Sequence, residues 1–340
     1  MDELVLVTGG TGYVAGWCIA ELLRRGYPVR TTMRDLGQQQ AVADAVAPAV
    51  AAPDARLEFA RADLTDDAGW DAALSGVSYV LHVATPLSAA SADPDALIKP
   101  ARDGTLRVLR AAAAAGVRRV VLTSAANAAS PASYVTEGVT DETLWTDPDL
   151  PGLIPYRRAK TLAERAAWDY AAGRDGAPEL VTILPGAVFG PVLTAGTIGS
   201  AGIIARMLSG AMRFLPRIAF EVVDVRDLAD IHLRAMTSPH AAGERFLATG
   251  ELMWMADIAR TLREGLGAQA RLVPTRRIPD PAVRLAARFV DPSLRGIVPA
   301  LNRRSRHSTA KARELLGWQP RPASETVLDC ARSLIEHRAV

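Results

Sequence analysis

Cysteine, lysine and long apolar runs are all scarce in this chain, and each scarcity narrows what it can be. The two cysteines, Cys18 and Cys330, sit far apart in helical-looking segments, which suits reduced, inert thiols better than a disulfide framework. No apolar run approaches the roughly 20 residues needed to span a bilayer. The first strand-like run begins within a few residues of Met1, which leaves no room for a signal peptide, so a cytoplasmic protein with no membrane partner is expected. Excess charge is also missing: 39 basic against 37 acidic residues leave +2, too weak a field to gather nucleic acid or anionic lipid. The five histidines, His82, His232, His240, His307 and His337, lack ligand spacing, and no metal site is expected.

What is present is a core-forming chain: 340 residues, 49% hydrophobic and 22% charged, enough for one large α/β body and a smaller lobe. Apolar runs at Leu4 to Val7, Val29 to Met33, Leu57 to Ala60, Tyr79 to Val83, Val117 to Thr123 and Leu180 to Leu184 alternate with helical patterns. Those helices are expected over Tyr13 to Arg25, Pro94 to Ala115 and Pro155 to Ala172, with Gly26 and Gly116 as stops. Such alternation implies βαβ units and a doubly wound parallel sheet of the Rossmann type. After Pro185 a glycine-rich crossing leads into a second, mainly helical substrate lobe. Phe220 to Val223 and the helix Val225 to Met236 are expected to return to the first domain, with Asp224 and Asp227 at the helix start. The boundaries are 1–185 plus about 220–250 for the dinucleotide domain, and 186–219 with 251–340 for the lobe.

The stretch that organises the rest is VTGGTGYVAGW, Val7 to Trp17. A strand ending in close glycines and opening a helix brings main-chain N–H groups and a positive helix end to a phosphate. Gly9 suits the tight turn, Gly12 a close approach of the backbone to a pyrophosphate, and Ala15 the packing of helix on strand. A second signal is YRRAK. Residues four apart share a helix face, so Tyr156 and Lys160 can point into one pocket, where the cation is expected to lower the phenol's pKa and make Tyr156 a proton carrier. A third is Arg34 at the end of the second strand, where an arginine accommodates a 2′-phosphate and favours NADPH over NADH. Asp35, directly behind it, argues the other way.

Taken together, VTGGTGYVAGW, TTMRD, Asp63-Leu64, HVATP at His82 to Pro86, LTSAAN, YRRAK, LPGAVFGP at Leu184 to Pro191 and KARELLGWQP resemble the extended short-chain dehydrogenase/reductases. Within them the likeness is to the branch of dihydroflavonol 4-reductase-like enzymes and bacterial aldehyde or carbonyl reductases. The resemblance implies that Gly9, Gly12, Tyr13 and Val14 line the pyrophosphate, Arg34 the 2′-phosphate, and Asp63 and Leu64 the adenine. Val83, Ala84 and Thr85 would pass beside the ribose, and Pro185 and Val188 would cover the nicotinamide. Tyr156 would protonate the substrate oxygen, and Lys160 would also hold the ribose hydroxyls.

One position departs from the pattern. The family's strand exit reads T-S-S and its second serine binds the reacting carbonyl oxygen, whereas this chain has Thr123-Ser124-Ala125. Ser124, Asn127 or Ser130 could replace that donor, with Ser124 the expected one. Tyr134, Trp145 and Leu153 are candidate pocket walls or simple packing residues. The expected protein is a monomeric or homodimeric NADPH-dependent reductase of aldehydes or ketones. An NAD-dependent nucleotide-sugar epimerase or hydroxysteroid-type dehydrogenase is one alternative, and a dinucleotide-binding regulator without chemistry is the other.

Overall fold

The computed structural model describes residues 3–50, 56–86, 95–196 and 198–340. Strand β1 (Leu4–Val7) turns through the glycines into helix α1 (Tyr13–Arg24). Then follow β2 (Val29–Met33), α2 (Gln39–Val50), β3 (Leu57–Arg61), α3 (Trp70–Leu74), β4 (Val77–His82), α4 (Asp95–Ala114) and β5 (Arg119–Thr123). A short β6 (Gly138–Thr140) and the long α5 (Pro155–Ala172) precede β7 (Glu179–Pro185). Next come β8 (Ala187–Phe189), α6 (Gly202–Leu208), β9 (Ala219–Asp224), α7 (Val225–Thr237), β10 (Arg245–Ala248) and β11 (Leu252–Trp254). The chain ends with α8 (Met255–Leu266), α9 (Asp280–Phe289), β12 (Ser305–His307), α10 (Ala310–Leu316) and α11 (Ala323–Glu336). The expected helices therefore form within a residue or so of their anticipated ends, Gly26 and Gly116 stopping two of them at φ +79° and +70°. Pro94, the expected first residue of α4, lies outside the described residues.

Seven strands pair in parallel in the order β3-β2-β1-β4-β5-β7-β10. The β1, β5 and β7 sequences are near-continuous apolar runs because helices cover both faces of such a sheet. Alternate side chains divide between two cores. Val5, Val7, Tyr79, Leu81, Val121 and Ile183 meet Ile19, Leu22, Val42, Val46, Leu228 and Ile231 on one face. Leu6, Val80, Val120, Leu122 and Leu180 meet Val108, Leu109, Ala112 and Ala167 on the other. Strand order runs outward in opposite directions from β1 and from β4, so the crevice at the carboxyl ends, where such sheets bind ligands, opens between those two strands.

The segment at Phe220 departs from expectation. It does not join the large sheet: β9 is the middle strand of a separate three-stranded sheet, parallel to β8 and antiparallel to β11. Only α7 returns, adding Leu228, Ile231 and Met236 to the core that α1 shares. Asp224 caps it as anticipated, accepting the Arg226 N–H at 2.9 Å, while Asp227 holds the Arg321 guanidinium at 2.7 Å. The seventh strand, β10, was not foreseen, because four buried residues, RFLA, carry no alternation and declare themselves only by pairing with β7. A further core of Ile204, Met207, Ile218, Val222, Ile258, Leu262, Val327 and Leu334 joins α6, β9, α8 and α11 beside the large sheet.

Candidate active site

Local backbone geometry builds the first wall of the crevice. Gly9 sits at φ +74°, and a Cβ there would stand 2.7 Å from the Ala84 Cβ, so the turn after β1 can lie against the exit of β4 only as glycine. Thr8 joins the same two exits, its Oγ1 lying 2.9 Å from His82 Nδ1 and accepting the Ala84 N–H at 3.1 Å. Helix α1 then begins at Gly12 with no side-chain cap and no carboxylate in its first turn. An uncapped helix start has unpaired N–H groups and a positive end, which fits the pyrophosphate of a dinucleotide. The N-terminal residues Tyr13 and Val14 offer main chain here. The Tyr13 side chain turns away, donating to the Gly190 carbonyl at 2.7 Å, and Val14 packs on the core.

At the far end of the crevice Arg34 is exposed just after β2, beside Asp35. Asp35 is committed to its own turn, Oδ1 accepting the Gly37 N–H at 2.8 Å. Arg34 and Asp63 lie close enough for the guanidinium to help hold the Asp63 carboxyl below its usual range, after the larger effect of the Thr65 N–H. That carboxylate also folds back, accepting from Thr65 N and Oγ1, both at 2.9 Å, while the Leu64 carbonyl accepts from Arg107.

Helix α5 carries the tyrosine–lysine pair. Pro155 at its first turn pre-sets the backbone, and Tyr156 and Lys160 follow one turn apart. Lys160 is buried, its Nζ donating to Thr85 Oγ1 at 3.0 Å and to the Thr123 carbonyl at 3.2 Å. The ammonium thus bridges the exits of β4 and β5. Burial lowers its pKa to about 8, against a smaller opposing pull from Glu164.

Tyr156 corrects an expectation. Its phenol is held above the usual range, not below it, first by desolvation and then by Tyr134, even though 36% of the residue stays exposed. The physical reason is desolvation of the hydroxyl, which disfavours the phenolate, with the Tyr134 phenol adding to it.

The three candidate donors of the β5 exit differ sharply. The Ser124 hydroxyl, the expected one, donates to Glu164 on the buried side of α5, so its proton is not aimed at the crevice. Ser130, 1% exposed, donates to the Ala126 carbonyl at 2.7 Å and lies 3.1 Å from His307 Nε2. Asn127 uses only its oxygen, accepting from the Tyr134 hydroxyl at 2.6 Å. Pro185 ends β7 and half-buried Val188 lies on β8 beyond Gly186, where a Cβ would meet the Glu221 carbonyl at 2.2 Å. Trp145 serves packing instead of a pocket, with Arg245 stacked 3.6 Å above its ring, and Leu153 is half-buried beside the start of α5.

Beneath the site lies a polar knot that sequence reasoning missed. Glu164, one turn after Lys160, accepts from Ser124, from Thr182 Oγ1 at 2.9 Å and from Arg245 Nε at 2.8 Å. The spacing suggests a Lys160–Glu164 helix pair, and no local signal announces partners 18 and 81 residues away.

Fold and site define a dinucleotide-binding α/β protein with a tyrosine–lysine pair whose lysine bridges the exits of β4 and β5. Comparison with known proteins agrees: residues 5–248 match the model of the NAD dependent epimerase/dehydratase family. The chain belongs to that family, among the extended short-chain dehydrogenase/reductases, as an NAD(P)-dependent reductase. It is 39% identical over 266 residues to cinnamoyl-CoA reductase 1 of Oryza sativa subsp. japonica, covering 77% of this chain and 75% of that one. To dihydroflavonol 4-reductase of Zea mays it is 34% identical over 271 residues, covering 76% and 73%. Among solved structures, Gre2 from Candida albicans in complex with NADPH superposes with a TM-score of 0.80 at 25% identity, covering 99% of both chains. Among the described residues no helix is long and apolar enough to cross a membrane.

Proposed function

We propose that the protein reduces the carbonyl group of an aldehyde or ketone to an alcohol, with NADPH as the reductant. The observation that carries this reading is the placement of Lys160 between Thr85 Oγ1 and the Thr123 carbonyl, one helical turn after a tyrosine whose phenol stays protonated at neutral pH. When bound, the reduced nicotinamide supplies a hydride, two electrons and a proton's mass, to the carbonyl carbon. Tyr156 gives its phenolic proton to the oxygen as the C=O π bond breaks, which makes it a general acid. Lys160 holds a positive charge against the crevice, where it can anchor ribose hydroxyls and disperse the negative charge left on Tyr156. The uncapped start of α1 would hold the pyrophosphate and Arg34 the 2′-phosphate. The names of two relatives, reductases of cinnamoyl-CoA and dihydroflavonol, support a bulky, conjugated carbonyl as substrate. NADPH consumption by purified protein against aldehydes, diketones and flavanonols tests the reading. Tight binding without turnover would make the protein a regulator instead.

Two further results are expected. Arg34→Ser should lower the ratio of kcat/KM with NADPH to that with NADH by about 10- to 100-fold, the worth of one charged hydrogen bond. An unchanged ratio would place 2′-phosphate recognition elsewhere. Activity should also fall above pH 8, about tenfold per unit, as Lys160 with its pKa of about 8 loses its charge. A kcat profile flat to pH 10 would remove that requirement. The stability consequence has the opposite sign. Because the folded value lies below the ordinary 10.5, the unfolded chain binds more protons between the two, and the contribution of Lys160 to stability rises with pH across that window.

A further inference from the structure

We propose that Asn127 is a catalytic residue, donating a hydrogen bond from its side-chain NH2 to the substrate carbonyl oxygen beside the Tyr156 hydroxyl. The inference rests on the carbonyl-reductase reading above.

A carbonyl taking up hydride gathers charge on its oxygen, and a lone phenol leaves that oxygen short of donors. The strand exit on which Tyr156 borders cannot supply the second donor from the residues that first suggest themselves. Ala125 carries a methyl group. Thr123 Oγ1 pairs with His232 Nε2 at 2.7 Å, and the Thr123 carbonyl is taken by Lys160. The Ser124 proton goes to Glu164. Ser130 is buried against the Ala126 carbonyl and against His307, whose Nδ1 is in turn 2.6 Å from Glu221 Oε2.

Asn127 is built differently. It lies on the 3₁₀ turn Ala126–Ala129 that follows β5, and it is half-buried where its neighbours Ala126, Ala128 and Ala129 are fully buried. The Tyr134 hydroxyl donates to its Oδ1 at 2.6 Å. A planar amide held by its oxygen has its NH2 directed to the other side, and among the described residues no acceptor claims those two N–H bonds. Tyr134 is itself immobilised, 7% exposed, with the guanidinium carbons of Arg157 and Arg303 at 4.6 and 4.7 Å from its ring centroid. It also lies near enough to Tyr156 to be the second cause of that phenol's raised pKa. One fixed aromatic residue therefore borders both the amide and the phenol, and the turn that carries Asn127 packs against α5. Ala125, 3% exposed, offers no side-chain donor to compete with that amide.

The test compares Asn127→Asp and Asn127→Ala with wild type, reading kcat for a carbonyl that the wild type reduces, the NADPH dissociation constant, and the melting temperature. Aspartate keeps an acceptor for Tyr134 and so preserves the turn while removing the donor. Both variants should lose about a hundredfold in kcat with unchanged NADPH affinity, and Asn127→Asp should melt as wild type does. Adding Ala125→Ser to Asn127→Ala puts a hydroxyl donor back at the strand exit and should restore kcat at least about tenfold, which a purely structural role would not allow. An Asn127→Asp enzyme within about threefold of wild-type kcat, or a double variant no faster than Asn127→Ala, would overturn the proposal. If Tyr156→Phe abolishes turnover while Asn127→Asp retains it, this inference fails and the reductase reading stands. If wild type consumes NADPH with no carbonyl, the reading itself fails and takes the inference with it.

Discussion

Replacing Tyr156 by phenylalanine is expected to lower kcat for carbonyl reduction by about 10²- to 10⁴-fold, the usual worth of a positioned general acid. The NADPH dissociation constant and the melting temperature should scarcely move, because the residue is 36% exposed and phenylalanine keeps the ring. Stopped-flow or steady-state NADPH oxidation, with cofactor binding measured in parallel, reads both numbers. A variant with wild-type kcat would mean that the proton comes from water or from another residue, and the proposed mechanism would fall. The raised phenol pKa adds a directional consequence. A group protonated at neutral pH is ready to give a proton to an alkoxide but not to take one from an alcohol, so reduction should dominate near pH 7. Alcohol oxidation should gain little from raising the pH, because Lys160 loses its charge around pH 8, before a phenol held above its usual range ionises.

The largest stability effect is expected at Glu164. Its carboxylate has no exposed side-chain surface and binds the Arg245 guanidinium, whose side chain is 8% exposed. Arg245 also donates to the carbonyls of Glu142 and Leu144, the former at 2.6 Å, and stacks on Trp145. Removing one partner of a buried pair leaves the other charge uncompensated, so Glu164→Ala should cost about 3–5 kcal/mol. For a chain of this length that is a fall in melting temperature of roughly 4–7 °C. The pair is not a simple source of stability, since two desolvated charges only partly repay their removal from water. Glu164→Met combined with Arg245→Met should therefore recover much of the loss. Calorimetry or urea midpoints would check both. A Glu164→Ala loss below about 1 kcal/mol would mean that the charge finds water on the spot. The knot also explains why Ser124 is not free for chemistry: Glu164 takes its proton from the same side on which α5 packs.

The features legible in the chain share one property, short range. The Gly9 turn, the stops at Gly26 and Gly116, the Asp224 cap and the four-residue spacing of Tyr156 and Lys160 each depend on backbone conformation over a few residues. The alternation of apolar runs and helices likewise implies the parallel sheet. Where expectation failed, the deciding partner was distant. β9 left the large sheet because β8 and β11 flank it, and β10 exists as a strand through pairing with β7. Lys160 is expected to acidify Tyr156, whereas burial of the hydroxyl and Tyr134, 22 residues earlier, hold that phenol above its usual range.

By itself, then, the amino-acid order determined a doubly wound sheet, a glycine bend opening the first helix and a tyrosine–lysine pair on a helix, since these follow from local dihedrals and periodicity. Only tertiary packing decided which donors are spent and which remain. Ser124, Asn127 and Ser130 are all polar residues on one strand exit. They are told apart by Glu164, Tyr134 and His307, side chains brought to them across 40, 7 and 177 positions of chain, and hydrogen-bond saturation is a property of neighbours in space.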